Sequence, residues 1–163
     1  MFFPDFEHRY QIEPLRLAFV QRAREQGRDD QNQPVERVSA QGGEPCRDVL
    51  RRARPGEALI LASYCPFALA GPYREYGPVF ILAEPGDTGA AAWPPGGAAS
   101  YFLQSFVLRA YDDQERIAAA LVSSPAAAEA DLAALFGRDE VRFVLARFAA
   151  YGCYGCRIAR RNN

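Results

Sequence analysis

Toward its C-terminal end the chain reads AAYGCYGCRIARR, which places Cys153 and Cys156 three positions apart. That spacing suits either a dithiol redox centre or half of a zinc site. A redox pair needs its first cysteine at the start of a helix, where the dipole stabilises thiolate. Only RIARRNN follows Cys156, too short for that helix and for the strands that follow it in a thioredoxin-type fold. Zinc needs two more ligands, and the remaining cysteines, Cys46 and Cys65, are 19 positions apart, which is not a zinc-ribbon spacing. Cysteines three apart in a regular strand point to opposite faces. The pair therefore reads as incidental, and neither a metal nor another cofactor is expected.

The other reactive residue types are sparse. The chain has one histidine, His8, and all 19 of its basic residues are arginine. Without lysine there is no Schiff base, P-loop lysine or lysine general base. With one imidazole, multi-histidine metal sites are excluded, and a Ser-His-Asp or Cys-His arrangement has a single ring to use. The 20 acidic residues nearly cancel the basic ones. No field of one sign therefore draws the chain to nucleic acid or to an anionic membrane.

What remains is arginine among aromatic groups. Arg109, in LRAY, sits mid-strand between apolar neighbours, and it either pairs with a carboxylate such as Glu75 or Glu84 or faces an anion. Arg47, in the turn PCRD, carries the same two readings. The segment CPFALAGPYREYGP is longer than a hairpin requires and bears Phe67, Tyr73, Arg74, Glu75 and Tyr76. It reads as a pocket rim or as a loop whose aromatics plug one end of a sheet. The runs RRAR and RIARR read as solvated surface.

The elements that must position these groups are mostly strands. EALILASY, GPVFILAE, VRFVLARF and CYGCRIAR read as strands, and QSFVLRAY and RIAAALV form a hairpin about DDQE. In that hairpin Val107, Arg109 and Tyr111 share one face, and Phe106, Leu108 and Ala110 the other. A helix in EPLRLAFVQRAREQG stops at Gly27, and PVERVSA alternates like a short strand. QGGEPCRDVLRRARPGE reads as turns around a short helical or irregular piece, and EPGDTGAAAWPPGGAAS as a surface connector. In SSPAAAEADLAALFG, Ser124 is the expected N-cap, Pro125 the first helical residue and Gly137 the stop, with Leu132, Leu135 and Phe136 facing the sheet.

The strands are not spaced by crossover helices. The expected class is therefore α+β, with a predominantly antiparallel, strongly twisted sheet, open or barrel-like, and one or two packed helices. At 163 residues one domain is expected over 1–163. MFFPDFEHRY lacks the pattern of a secretory signal, and the most apolar stretch, ALILASYCPFALAG, is too short to span a bilayer. A cytoplasmic protein with reduced cysteines is expected.

In order and spacing, PCRDVL, PGEALILASYCPF with GPYREYGPVF, VLRAYD and AAYGCYGCRI together resemble a bacterial family, domain of unknown function 1203. The resemblance covers a core at 45–159 and leaves 1–44 as a variable N-terminal segment. It implies that Cys46, Arg47, Tyr73, Gly77, Pro78, Arg109, Tyr111, Gly152, Cys153 and Tyr154 are motif positions. It also implies that Leu145 and Phe148 stand where relatives often carry histidine and asparagine, so that an activity needing those groups is lost here.

The expectation is a domain that binds a small polar or anionic ligand. The candidate site residues are Cys46, Arg47, Tyr73, Glu75, Arg109, Tyr111, Cys153 and Tyr154. Arg47 and Arg109 are expected to face one shared pocket. Two other readings stay open: an enzyme with Cys46 or Cys153 as nucleophile, and a protein-interaction module presenting the aromatic loop.

Overall fold

The computed structural model describes residues 4–86, 101–103 and 105–162. The connector expected at 84–100 lies outside the described residues from position 87 onward. The chain opens with α1 (Pro4–Arg9), β1 (Tyr10–Glu13) and α2 (Leu17–Glu25), followed by β2 (Glu36–Ser39), β3 (Pro45–Cys46) and β4 (Arg51–Arg52). The longer strands β5 (Ala58–Tyr64), β6 (Gly77–Leu82), β7 (Phe106–Tyr111) and β8 (Ile117–Ser123) come next. Then α3 (Ala128–Phe136) precedes β9 (Phe143–Phe148) and β10 (Tyr154–Arg160).

Among the described residues the strands form two five-stranded sheets rather than one, and neither closes into a barrel. The first has the order β1-β10-β9-β7-β8 and the second β2-β5-β6-β3-β4. Pairing is antiparallel except between β3 and β6. The α+β class and the antiparallel character stand as expected.

Period-2 alternation sorts the first sheet's side chains. Phe106, Leu108, Ala110, Val144 and Ala146 pack on one face against Leu132, Leu135 and Phe136 of α3 and Phe6 of α1. Tyr111, Phe143, Leu145 and Tyr154 project from the other face. They meet Ile60, Ala62, Val79 and Ile81 of the second sheet, together with Phe19, Val20 and Ala23 of α2. The second sheet's outer face keeps only a small core around Cys46, Leu59 and Leu82, with Phe80 partly buried beside it.

Three local readings change. The α3 helix begins at Ala128, not Pro125. Residues 124–127 form a turn in which the Ser124 carbonyl and Oγ both accept from the Ala127 amide, at 3.1 and 3.3 Å, so Ser124 closes the turn instead of capping the helix. PCRDVLRR is a tight hairpin of β3 and β4, not a helical piece, with Leu50 at φ +54°. Finally, β10 carries a bulge between Tyr154 and Cys156. The extra residue resets the alternation, so Cys153 and Cys156 pack against the same cluster rather than facing opposite ways. At the bulge Gly155 lies under the Phe102 ring, where an added Cβ would sit 2.4 Å from a ring carbon.

Candidate functional site

The β3–β4 hairpin lays Arg47 and Arg52 across the end of the first sheet. Arg47 is 4% exposed. Its Nε donates to the Tyr154 carbonyl and its Nη1 to the Pro45 carbonyl, both at 2.8 Å. Arg52 donates through Nε and Nη2 to the Tyr101 carbonyl, at 3.1 and 2.6 Å, and through Nη1 to the Gly43 carbonyl at 2.7 Å. Both guanidiniums lie over one ring, that of Phe148, at 5.2 and 5.4 Å from its centroid. Tyr101 completes the floor: its hydroxyl donates to the Gly155 carbonyl at 2.9 Å and its ring meets Phe148 edge-on.

The electrostatics at Arg47 are lopsided. Among the described residues no carboxylate pairs with it; the nearby acid Asp48 is held by Arg24 at 2.8 Å and by the Leu82 amide. Burial, and the repulsion of Arg52 to a lesser degree, pull the Arg47 guanidinium below its ordinary value. Its Nη2 has no hydrogen-bond partner among the described residues, and Arg47 and Arg52 both line a groove of about 1540 Å³. One wall of the groove is the second sheet's outer face, with Val38, Leu61 and Phe80. The other is the β9–β10 turn, with Tyr151 and Cys153.

The expected residues divide sharply. Arg47 and Cys153 reach the groove, and Tyr154 contributes its carbonyl while its ring is buried against Tyr64. Burial pushes the Tyr154 phenol well up. Cys46 is the last residue of β3 in the hairpin and has no exposure, and burial first, then the Asp48 charge, pushes its thiol up to about 12.

Arg109 and Glu75 belong elsewhere. Glu75 pairs with buried Arg147, and Arg109 approaches the same carboxylate oxygen at 3.6 Å. Tyr111 is buried, stacked on Phe143 and edge-on to Phe67, and Tyr73 is exposed on the loop. None of these four lines the groove, so Arg47 and Arg109 share no pocket there: Arg109 takes its carboxylate reading. Leu145 is buried between the sheets, whereas Phe148 is the platform for the two arginines.

Sequence reasoning passed over Arg52 and Arg147, and it read Phe148 only as a place where a polar group is missing. Arg52 sits in RRAR, a run that reads as solvated surface, and only the register Pro45↔Arg52 turns it back over the sheet. Among the described residues no group of three or more His, Cys, Asp or Glu side chains could hold a metal ion. No helix there is long and apolar enough to cross a membrane.

A family model described as "Protein of unknown function (DUF1203)" matches residues 43–160, which include the β3–β4 hairpin, strands β7 to β10 of the first sheet and the β9–β10 turn. No curated protein matches the chain, and no solved structure does.

Proposed function

The chain belongs to the family of unknown function DUF1203, and from that premise we propose that this member is a binding protein whose ligand presents an anionic group to Arg47. One observation carries the reading: a guanidinium buried to 4% exposure in a residue that lines the groove, with no acidic partner and no Nη2 hydrogen bond among the described residues. A charge withdrawn from water without a counter-charge is costly. Two backbone carbonyls and the face of Phe148 offset part of that cost and leave the positive charge in place. Arg52, on the same ring, adds a second positive charge. An anion bridging the two guanidiniums gains charge-assisted hydrogen bonds and relieves their repulsion.

The cysteine-nucleophile reading narrows to Cys153, because the Cys46 thiol is buried and its thiolate strongly disfavoured. Among the described residues the Cys153 thiol donates to the Tyr151 carbonyl at 3.7 Å, which is no general base.

The test is thermal melting with phosphate, sulfate and acetate, which are expected to raise the midpoint of the native protein. Arg47→Gln and Arg52→Gln should remove the shift, which separates it from the general stabilisation that such salts give any protein. Arg109→Gln should retain it, since Glu75 already holds that side chain. Because Arg47→Gln also removes two buried hydrogen bonds, the wild-type arginine Nε–H signals are followed by NMR during the same titration. No movement of the Arg47 signal, with no difference in melting shift between native and variant proteins, overturns the proposal.

A further inference from the structure

The groove is much larger than the anion that Arg47 would hold. At about 1540 Å³ it exceeds the range of roughly 300–1,000 Å³ usual for small-molecule sites. Its positive charges are Arg47 and Arg52, and the uncharged polar side chains Ser39, Gln41, Ser105 and Ser124 also line it. Away from Arg47 and Arg52 the walls are Val38, Leu61 and Phe80 on one side and Leu103 and Tyr151 on the other. Three of these are large apolar side chains left open to solvent: Val38 at 37%, Leu103 at 53% and Tyr151 at 88% exposed. Clustered exposed apolar side chains of this kind mark binding surfaces. Among the described lining residues the one acidic side chain is Glu44, whose two oxygens accept from the Gln41 and Gly42 amides at 2.8 and 2.7 Å. The groove thus has two guanidiniums over Phe148 and, beyond them, walls that are mostly apolar.

Resting on the reading of Arg47 as an anion receptor, the geometry points to one ligand class: a free carboxylic acid with an extended apolar tail. The carboxylate meets Arg47 Nη2 and the Arg52 guanidinium over the Phe148 ring. The tail lies between the outer face of the second sheet and the β9–β10 turn. Charge complementarity selects the acid over its neutral ester, and the apolar walls select a long chain over a short one.

The experiment is calorimetric titration of the full chain with acetate, hexanoate, octanoate and decanoate, each below its micelle-forming concentration, and with methyl octanoate. The affinity is expected to rise about tenfold for every two methylenes that enter the groove. Methyl octanoate should bind at least tenfold more weakly than octanoate. Val38→Asn, a change at a half-open wall position, should flatten the series.

A flat series in the native protein, with the phosphate shift still present, overturns the tail and leaves the anion site standing. Equal binding of acid and ester overturns the carboxylate. Binding to anionic phospholipid vesicles without binding of the free acids replaces a soluble ligand with a membrane surface and overturns the proposal. So does a crystal structure in which the chain fills its own groove. If no acid binds and phosphate gives no shift either, both this inference and the anion site fall.

Discussion

Cys46 and Cys153 each lie beside a turn, Cys46 at the end of β3 and Cys153 just before β10, yet they differ in what solvent can reach. Cys46 is fully buried with its thiol pushed up to about 12, which disfavours the thiolate strongly at neutral pH. Cys65 and Cys156 are buried as well, and Cys153 alone is half-buried. A disulfide-exchange reagent added to native protein should therefore label one thiol rapidly and three only after denaturation, and Cys153→Ser should remove the fast phase. A fast phase that survives this substitution would mean that a second cysteine is open.

Glu57 makes a different residue-level case. Arg51 holds its carboxylate through two hydrogen bonds of 2.8 and 2.9 Å, which, with the Arg54 amide, lowers its pKa from 4.5 to about 2. A depressed folded-state value stabilises the fold above the unfolded value and loses that contribution as pH falls through about 2. Glu57→Gln should lower the melting temperature at pH 6, and the difference should close between pH 4.5 and 2. A difference that stays constant across this range would show that the pair contributes nothing to the pH dependence.

At the scale of elements, the long strands and both faces of the β7–β8 hairpin were legible because alternation is a property of consecutive residues. The β3–β4 hairpin was not, since its tight turn uses Leu50 at positive φ, where sequence offers no glycine or asparagine to mark it. The bulge in β10 was equally hidden, although it decides which way Cys153 and Cys156 face. The bulge places Gly155 where no side chain fits, which is testable. In Gly155→Ala the new methyl would meet the Phe102 ring at 2.4 Å and the Ala146 carbonyl at 2.8 Å. Ring and backbone must both give way, and a loss of about 1–3 kcal/mol is expected in chemical denaturation. The helix face in α3 was legible in full: Leu132 has no exposure and packs on the first sheet. Leu132→Ala should cost about 2–4 kcal/mol. A cost under about 0.5 kcal/mol would be that of a surface residue.

At the scale of the whole molecule, the question is what joins two sheets whose strands alternate in the chain only loosely. Part of the answer is apolar, the layer of Ile60, Val79 and Ile81 against Tyr111, Phe143 and Leu145. The rest lies in the segment between β5 and β6, which leaves the second sheet and docks on the first. Phe67 packs edge-on to Tyr111, the Ala68 and Leu69 amides donate to Glu115 in the β7–β8 turn, and Glu75 reaches Arg147 on β9 and Arg109 on β7. The sequence marked this segment as a pocket rim or a plug, and the packing is that of a plug with an ionic latch. The distinction lay out of reach because Arg147 reads as one more strand arginine until the register Val107↔Arg147 sets it beside Arg109 on the inner face.

Arg147 is 8% exposed at its side chain and its Nε has no hydrogen-bond partner, so Glu75 neutralises a charge already short of partners. Glu75 is itself 43% exposed, which reduces the strength of the pair below that of a fully buried one. Glu75→Gln should therefore cost about 1–3 kcal/mol and speed proteolytic cleavage in the exposed stretch 68–74. Arg109→Gln, at a half-exposed and longer contact, should cost less than about 1 kcal/mol. The decisive comparison is the double variant Glu75→Gln/Arg147→Met. If the loss in Glu75→Gln arises from stranding a buried guanidinium, removing that guanidinium should recover much of it, and the double variant should be more stable than Glu75→Gln alone. Additive losses, with no change in cleavage at the segment, would mean that the two sheets are held by their apolar layer and that the latch is incidental.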